Sequence, residues 1–210
     1  MNPTKISVII PAYNEEKNID DVLTRTKTML NTLKLPYEII VVDDGSNDGT
    51  SSLAKRKGAF VIKVQENHGK GFALRKAFQY ASGDILITMD ADGSHRPEEI
   101  PRLVTPLLNG IDVATGARFN GEMHKGSTKK LHILGNHIFN FVIMILTRKR
   151  ITDSQTGFRA FKKKVIEEIR LFSNGYEVET ELTVKMLKNG FKVYETPITF
   201  ERRKNGISRL

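Results

Sequence analysis

The sequence contains no cysteine and no tryptophan. Without cysteine, the chain can form neither a disulfide framework nor a thiolate metal site. Without tryptophan, and without basic residues interleaved with aromatic ones, it lacks the stacking platform of a protein that binds single-stranded nucleic acid. We therefore expect no nucleic-acid partner. The net charge of +9 predicts another anionic partner, either a membrane surface or a phosphorylated substrate.

The sequence also lacks an apolar run of the length that a bilayer span needs, which is about 20 residues. Residues 131–146 are strongly apolar but number only 16. Basic residues flank this run, which predicts a helix lying in a membrane interface; a buried core helix is the alternative. The polar residues 1–5 show no signal peptide. We expect peripheral association with the cytoplasmic face of a membrane, without a transmembrane helix. The flanking residues are Lys125, Lys129, Lys130, Arg148, Lys149 and Arg150.

Short apolar runs alternate with segments of helical periodicity in the first half of the chain. Such an alternation predicts βαβ units and a parallel sheet. The length of 210 residues favours one domain. The predicted strands are residues 6–10, 37–42, 59–64, 85–89 and 112–115, and further helices are predicted near residues 131–146 and 164–172, with a last strand at 192–200.

Acidic residues follow three of these strands: Glu15 the first, Asp43 and Asp44 the second, and Asp90 and Asp92 the fourth. The carboxyl ends of parallel strands share one edge of the sheet, where open α/β sheets bind ligands. Two carboxylates one residue apart suit a hard divalent cation that also holds phosphates. A solvated turn is the alternative, because Asp is common in turns.

Two common nucleotide motifs are missing. Gly69 and Gly71 begin a G-x-G pattern, but Leu74 stands where the dinucleotide fingerprint needs its third glycine, and the chain has no Walker-type motif. We therefore expect that no glycine loop at a helix start holds a nucleotide. His68 and His95 lie in turns at the predicted edge, and we expect their side chains to be solvated; a contact with phosphate is the alternative.

Seven motifs occur in order along the chain. They are P-A-Y-N-E-E, D-D-G-S-N-D-G-T, G-K-G-x-A-L-R, M-D-A-D-G-S-H-x-P-E, G-A-R, D-S-Q-T-G-F-R and R-R-K-N-G-I-S-R-L. Taken together, they make nearly the whole chain resemble family 2 glycosyltransferases, in the dolichyl-phosphate mannose synthase-like branch. The resemblance implies an α/β GT-A fold, with a Rossmann-like, mostly parallel central sheet flanked by helices. It also implies one catalytic domain over residues 1–210, with a nucleotide-sugar-binding half (1–118) and an acceptor half (119–210) that holds the interfacial helix and a C-terminal flap.

The implied reaction transfers a sugar, mannose or glucose, from a GDP- or UDP-linked donor to dolichyl or polyprenyl phosphate with inversion, assisted by Mg²⁺ or Mn²⁺. A lipid phosphate is mostly dianionic at pH 7, so it needs no general base. The alternative acceptor is a hydroxyl group of a polysaccharide or glycolipid, which would need a carboxylate base. Asp153 and Glu181 are the candidates for that base.

The resemblance also assigns roles to residues. Ser94 stands where relatives often have Gln, a better cation ligand, and His132 and Asn136 stand where an Arg and a Ser are common. The implied metal ligands are Asp90, Asp92 and Ser94, and the implied catalytic residues are Asp92, Arg118 and Asp153. The implied donor-binding residues are Pro11, Ala12, Tyr13, Glu15, Asp43, Asp90, Ala91, Asp92, Arg118, Arg203 and Arg209. The implied acceptor-binding residues are Lys129, Lys130, His132 and Asn136.

Overall fold

The computed structural model describes residues 4–122, 130–203 and 205–206. Within these ranges the strands form one seven-stranded sheet of order β3-β2-β1-β4-β6-β5-β7. Only β6 runs antiparallel to its neighbours there, so the predicted mostly parallel sheet is confirmed. The strands are β1 Ile6–Ala12, β2 Tyr37–Asp44, β3 Phe60–Val64, β4 Ile85–Thr88, β5 Val113–Ala117, β6 Arg159–Lys162 and β7 Val193–Pro197.

Helices cover both faces of the sheet. Side chains of α1, α2 and α4 form one apolar cluster with the sheet, and side chains of α3, α6 and α7 form a second. In α1, for example, Ile19, Val22, Leu23 and Leu30 recur at helical spacing and are buried. The helices are α1 Glu16–Leu33, α2 Thr50–Arg56, α3 Lys70–Tyr80, α4 Ile100–Leu108, α5 Lys130–Thr147, α6 Lys163–Glu168 and α7 Val178–Lys188, with 3₁₀ turns at Pro97–Glu99 and Arg118–Asn120.

Two elements differ from the prediction. The helix expected over 164–172 ends at Glu168. Beyond it, Ile169 and Leu171 are buried while Arg170 and Phe172 are exposed, and this two-residue alternation is that of extended chain. Strand β6 was not predicted, because its sequence R-A-F-K contains no long apolar run. It forms because β4 and β5 both pair with it.

The register of the strands decides which residues meet at the site. Ala12 of β1 pairs with Asp43 of β2, and Ile9 pairs with Thr88 of β4, so the three acid-bearing turns leave the sheet at one edge. Because β6 runs in the opposite direction, the residues that precede Arg159 arrive at that same edge. The segment 153–158 is thereby brought beside the turns of β1, β2 and β4.

Candidate active site

A cavity of about 340 Å³ lies at this edge. Glu15, Asp44, Asp90 and Asp92 contribute to its wall, so the predicted convergence of the three strand ends is confirmed. The second half of the chain contributes as well, through Tyr176 and Arg203. The lining residues are Pro11, Ala12, Tyr13, Glu15, Asp44, Asn67, Gly69, Lys70, Ala73, Asp90, Ala91, Asp92, Tyr176 and Arg203.

The two acids that end β2 have different surroundings. The Asp43 carboxylate is fully buried, and its Oδ1 accepts a hydrogen bond of 2.9 Å from the Ser46 N–H. Asp44 lines the cavity, and its carboxylate accepts hydrogen bonds from the backbone N–H groups of His68 (3.1 Å) and Gly69 (2.7 Å). Asp44 therefore holds the turn that leads into α3. No donor-binding role was predicted for Asp44 from the sequence, and the donor-binding role of Asp43 stays a prediction.

The start of α3 is closed by protein backbone. The N–H groups of Gly71 and Phe72 donate to the carbonyl oxygens of Gly175 and Asn174. A Cβ on Gly71 would lie 2.2 Å from the Ser173 carbonyl oxygen, so only glycine allows this approach. The N–H groups of Gly71 and Phe72 are therefore not open to a phosphate, in agreement with the missing glycine-loop motifs.

Asp90 forms an ion pair that the sequence analysis missed. The Lys70 ammonium lies 2.6 Å from Asp90 Oδ1 and 2.9 Å from Glu179 Oε1. Burial alone would lower the pKa of Lys70, but the two carboxylates outweigh it and raise that pKa. Burial would likewise raise the pKa of Asp90, and Lys70 outweighs it and lowers that pKa. Both groups are therefore charged at pH 7. The available signal for Lys70 was its place in the G-K-G motif.

Asp92 is held on two sides. The Ser94 hydroxyl and N–H donate to Asp92 Oδ1 at 2.6 and 2.9 Å. Arg203 Nη1 lies 3.6 Å from the other carboxylate oxygen. Ser94 is only 3% exposed, so its hydroxyl orients Asp92 here, and its role as a metal ligand stays a prediction.

The carboxylates of Asp90 and Asp92 fit a magnesium-like ion. Among the described residues, no group of three or more His, Asp or Glu side chains could hold a metal ion. Mg²⁺ is commonly bound by one or two carboxylates, with substrate phosphates and water completing its octahedron. Both carboxylates face the cavity, so they could provide such a partial site once a phosphorylated ligand is bound.

His95 is not solvated, so that expectation was wrong. It is 1% exposed and stacks on Phe158 with a ring-centroid distance of 5.1 Å. Burial lowers the pKa of its imidazole, and the neutral ring accepts a hydrogen bond of 3.1 Å from the Asp90 N–H at Nδ1. The imidazole therefore fixes the backbone at the first metal-binding candidate.

The described part of the tail beyond β7 reaches the cavity, which Arg203 lines. Arg203 donates a hydrogen bond to Glu15 Oε1, and burial raises the pKa of Glu15. The Asn205 carbonyl oxygen accepts from Asn18 Nδ2 at 3.1 Å, which ties the tail to the first turn of α1. Gly206 has φ of +84°, a conformation that favours glycine. The structure thus brings Arg203 to the predicted donor end, whereas Arg209 lies outside the described residues.

Arg118 forms a bidentate ion pair with Asp153. Its guanidinium donates to both carboxylate oxygens, at 2.6 and 2.8 Å, and its backbone N–H donates to Asp153 Oδ2 at 3.1 Å. Asp153 is fully buried. Asp153 therefore orients Arg118, and neither residue belongs to the cavity lining given above. Their catalytic roles stay predictions.

The proposed acceptor residues are only partly described. Asn136 is 2% exposed, and its Nδ2 donates to the Thr152 carbonyl oxygen at 3.1 Å. Lys130 and His132 belong to the start of α5, but their side chains lie outside the described part of the chain, as does the whole of Lys129. Acceptor binding by these residues stays a prediction.

Helix α5 has one packed side and one exposed apolar side. Ile143 is buried and clusters with Leu187 of α7. On the other side, large apolar side chains are 45–61% exposed, so the core-helix interpretation does not account for this surface. The exposed residues are Ile138, Phe139, Phe141, Val142, Ile145 and Leu146. Of the helices that the structure describes, none combines the length and hydropathy required to span a bilayer.

The chain is similar to several known proteins. Residues 7–170 match the family model for glycosyl transferase family 2. The chain is 35% identical to a dolichol-phosphate mannosyltransferase of Pyrococcus furiosus, over 98% of this chain and 59% of that protein. It is 34% identical to a polyprenol monophosphomannose synthase of Mycolicibacterium smegmatis, over 97% of this chain and 80% of that protein.

A solved structure agrees with these sequence matches. Glucosyl-3-phosphoglycerate synthase from Mycobacterium tuberculosis, in complex with Mn²⁺, UDP and phosphoglyceric acid, superposes with a TM-score of 0.78 at 25% identity. The match covers 97% of this chain and 72% of that one. The family match, the two sequence relatives and the cavity at the carboxyl edge of a mostly parallel sheet all lead to one assignment: the chain belongs to glycosyl transferase family 2, in its dolichyl-phosphate mannose synthase-like branch.

Proposed function

We propose that this glycosyltransferase moves a sugar from a nucleotide-sugar donor to polyprenyl or dolichyl phosphate, with inversion, at a membrane surface. Mannose or glucose is the proposed sugar, and GDP or UDP the proposed carrier. The similarity to a dolichol-phosphate mannosyltransferase and a polyprenol monophosphomannose synthase supports the lipid-phosphate acceptor, and the UDP complex of the structural relative supports a nucleotide-linked donor.

The observation that carries the proposal concerns Asp153 and Glu181, the two candidates for the carboxylate base that a hydroxyl acceptor would need: both are engaged by other groups of the protein. Asp153 is buried and paired with Arg118. Glu181 accepts hydrogen bonds from the Phe172 and Ser173 N–H groups and from Lys185 Nζ. Burial would raise the pKa of Glu181, but these bonds outweigh it and lower the pKa to about 2. The Asp153 carboxylate is occupied by Arg118, and the lowered pKa makes Glu181 a poor proton acceptor, which favours an acceptor that is already anionic.

The cavity residues suit a diphosphate leaving group. Asp90 and Asp92 would hold a Mg²⁺ or Mn²⁺ ion, which neutralises charge that develops on the departing diphosphate. Arg203 faces Asp92, from where its guanidinium can pair with phosphate oxygens. The residues 1–118 would then bind the donor, and residues 119–210 would provide the acceptor side together with the tail.

The exposed face of α5 supports peripheral membrane binding. Its apolar side chains would enter the interface, and Arg148, Lys149 and Arg150 at its end are exposed and would meet anionic headgroups. This arrangement would bring the enzyme to a lipid acceptor. We propose the cytoplasmic face as the side of attachment.

A donor–acceptor panel tests the proposal. Purified protein is incubated with GDP-mannose, UDP-glucose or UDP-N-acetylhexosamine, each with polyprenyl phosphate, and the lipid products are identified by mass. We expect a sugar-phosphate-linked lipid with one of these donors and none when polyprenol, which lacks the phosphate, replaces the acceptor. Transfer to polyprenol or to an oligosaccharide, with none to polyprenyl phosphate, would support the hydroxyl-acceptor alternative instead.

A further inference from the structure

Four charged side chains alternate in sign from the interior to the cavity. Arg159 is fully buried, and its Nε lies 3.2 Å from Glu179 Oε2. Glu179 is 4% exposed and pairs through Oε1 with Lys70, which pairs with Asp90. Arg159 also donates to Thr183 Oγ1 and to the Ser154 carbonyl oxygen, so the buried end of this series of charges is fixed. Glu179, held by Arg159, therefore fixes the position of the Lys70 ammonium group.

The glycine of the D-S-Q-T-G-F-R motif covers the Lys70–Asp90 pair. A Cβ on Gly157 would lie 2.5 Å from Lys70 Nζ and 3.0 Å from both Asp90 carboxylate oxygens. The Gly157 backbone is itself held, because its carbonyl oxygen accepts a hydrogen bond of 2.9 Å from Thr88 Oγ1. With Gly157 on one side and Glu179 on another, the cavity is the direction that stays open to the ammonium group, and Lys70 is among the lining residues.

Both carboxylates of the candidate metal site thus have a cation beside them. Lys70 lies on Asp90, and Arg203 lies 3.6 Å from Asp92. A divalent cation that entered this site alone would meet two positive side chains, which are only 11% and 20% exposed, in surroundings where charges are weakly screened. A diphosphate that entered with the cation would supply negative charge to balance the cation, Lys70 and Arg203.

We infer that Lys70 takes the electrostatic place of the divalent cation on Asp90 while the donor is absent, and so makes cation binding depend on the donor diphosphate. This inference rests on the proposed function, since it takes a nucleoside diphosphate as the ligand. The free protein holds the cation weakly. Once the diphosphate is bound, Lys70 and the cation both face anionic oxygen and no longer compete for Asp90.

The test measures binding in the absence of any acceptor. Free Mn²⁺ is titrated by electron paramagnetic resonance, with and without GDP or UDP, for the wild type and for Lys70→Met. We expect Lys70→Met to bind Mn²⁺ alone about tenfold more tightly and to bind the metal-free nucleoside diphosphate about tenfold more weakly. The nucleotide should therefore increase the Mn²⁺ affinity of Lys70→Met by a smaller factor than it increases the Mn²⁺ affinity of the wild type.

Two further variants make the result specific. Lys76→Met removes the same charge from the same helix at a residue outside the cavity lining, and it should change neither affinity. Lys70→Gln, which keeps a polar side chain at this position, provides a second neutral variant if Lys70→Met does not fold. It should also bind Mn²⁺ alone more tightly.

Unchanged or weaker Mn²⁺ binding by the folded Lys70 variants would overturn the inference. That result leaves the proposed function intact, because sugar transfer is read separately in the donor–acceptor panel. Conversely, absence of a lipid-linked product from every donor would refute the proposed function whatever the Mn²⁺ titrations show.

Discussion

At the scale of single residues, the site consists of carboxylates whose positions are set by their neighbours. Ser94 and Arg203 hold Asp92, while Lys70 and His95 hold Asp90 and its backbone. Such preorganisation matters because groups that stabilise transition-state charge act best when they need no rearrangement. Substitutions at these residues should therefore alter chemistry more than folding.

Asp92→Asn is the direct test of the metal site. The amide keeps the shape of the side chain but loses the charge that a divalent cation needs, so turnover should fall roughly a hundredfold or more with little change in melting temperature. Asp20→Asn, on the exposed side of α1, is the control and should keep full turnover. Full wild-type activity in excess chelator would contradict the proposed metal dependence.

At the scale of elements, α5 and the tail have side chains whose placement is not accounted for by packing in the core. In α5 the apolar side chains that face outward are as large as those in the core. In the tail, Arg203 and Asn205 make polar contacts with the start of α1. Each segment therefore has its own test.

For α5, replacing Phe141 and Ile145 by Gln should weaken binding to vesicles that contain phosphatidylglycerol. These side chains are 58% and 61% exposed, so the fold should survive the substitutions. The exposed half of each apolar side chain would no longer be transferred from water into the membrane, which predicts roughly tenfold weaker binding. The control replaces Phe60 and Tyr80 by Gln, an aromatic pair elsewhere whose side chains are 53% and 50% exposed. Vesicle sedimentation measures the effect, and equal loss in both variants would argue against a role specific to α5.

The basic residues around α5 are tested separately. Replacing Lys129, Lys130, Arg148, Lys149 and Arg150 by Gln should weaken binding to the same anionic vesicles and reduce its dependence on salt, since salt screens these charges. Neutral phosphatidylcholine vesicles are the control. Unchanged sedimentation with anionic vesicles would refute the electrostatic part of the proposal.

For the tail, removing residues 207–210 should lower turnover much more than the melting temperature. We predict that residues 201–210 close over the donor diphosphate, where Arg203 and Arg209 neutralise charge and water is excluded. Only four residues at the end of the chain are removed, so stability should change little. The two measurements are made side by side: unchanged turnover would remove the tail from the site, and a joint collapse would make it structural.

At the scale of the whole molecule, Glu38 connects elements that are far apart in the sequence. Its carboxylate accepts hydrogen bonds from Ser7 of β1, from Ser82 before β4 and from Lys5. Burial would raise the pKa of Glu38, but these bonds outweigh it and lower the pKa to about 2. The stabilisation is therefore complete above the ordinary pKa of 4.5 and is lost as the pH falls towards 2.

Glu38→Gln should lower the melting temperature at pH 7 and reduce its fall between pH 5 and pH 3. Each kcal/mol lost corresponds to about 2–4 °C in a protein of this size, so we expect a decrease of a few degrees. Glu167→Gln, whose side chain is 62% exposed, should leave the profile unchanged. If the melting temperature of Glu38→Gln fell as much between pH 5 and pH 3 as that of the wild type, Glu38 would not contribute to the loss of stability in acid.

The sequence by itself determined the strands other than β6, in their order along the chain, and the edge of the sheet at which the site forms. Apolar runs that end in acids are local patterns, and parallel pairing carries the ends of β1, β2 and β4 to one edge whatever the details of packing. For that reason Glu15, Asp90 and Asp92 were placed correctly from the sequence, and the motif order identified the family.

Only the tertiary structure decided which side chains neutralise those acids. Lys70, Glu179 and Arg159 are separated by 20 residues or more along the chain, and no local periodicity connects them. They meet because β6 inserts between β4 and β5 and because α3 and α7 contribute to the same apolar cluster on one face of the sheet. Pairing between distant buried charges depends on the position of every intervening element, which is why the charge balance of the site could not be derived from the sequence.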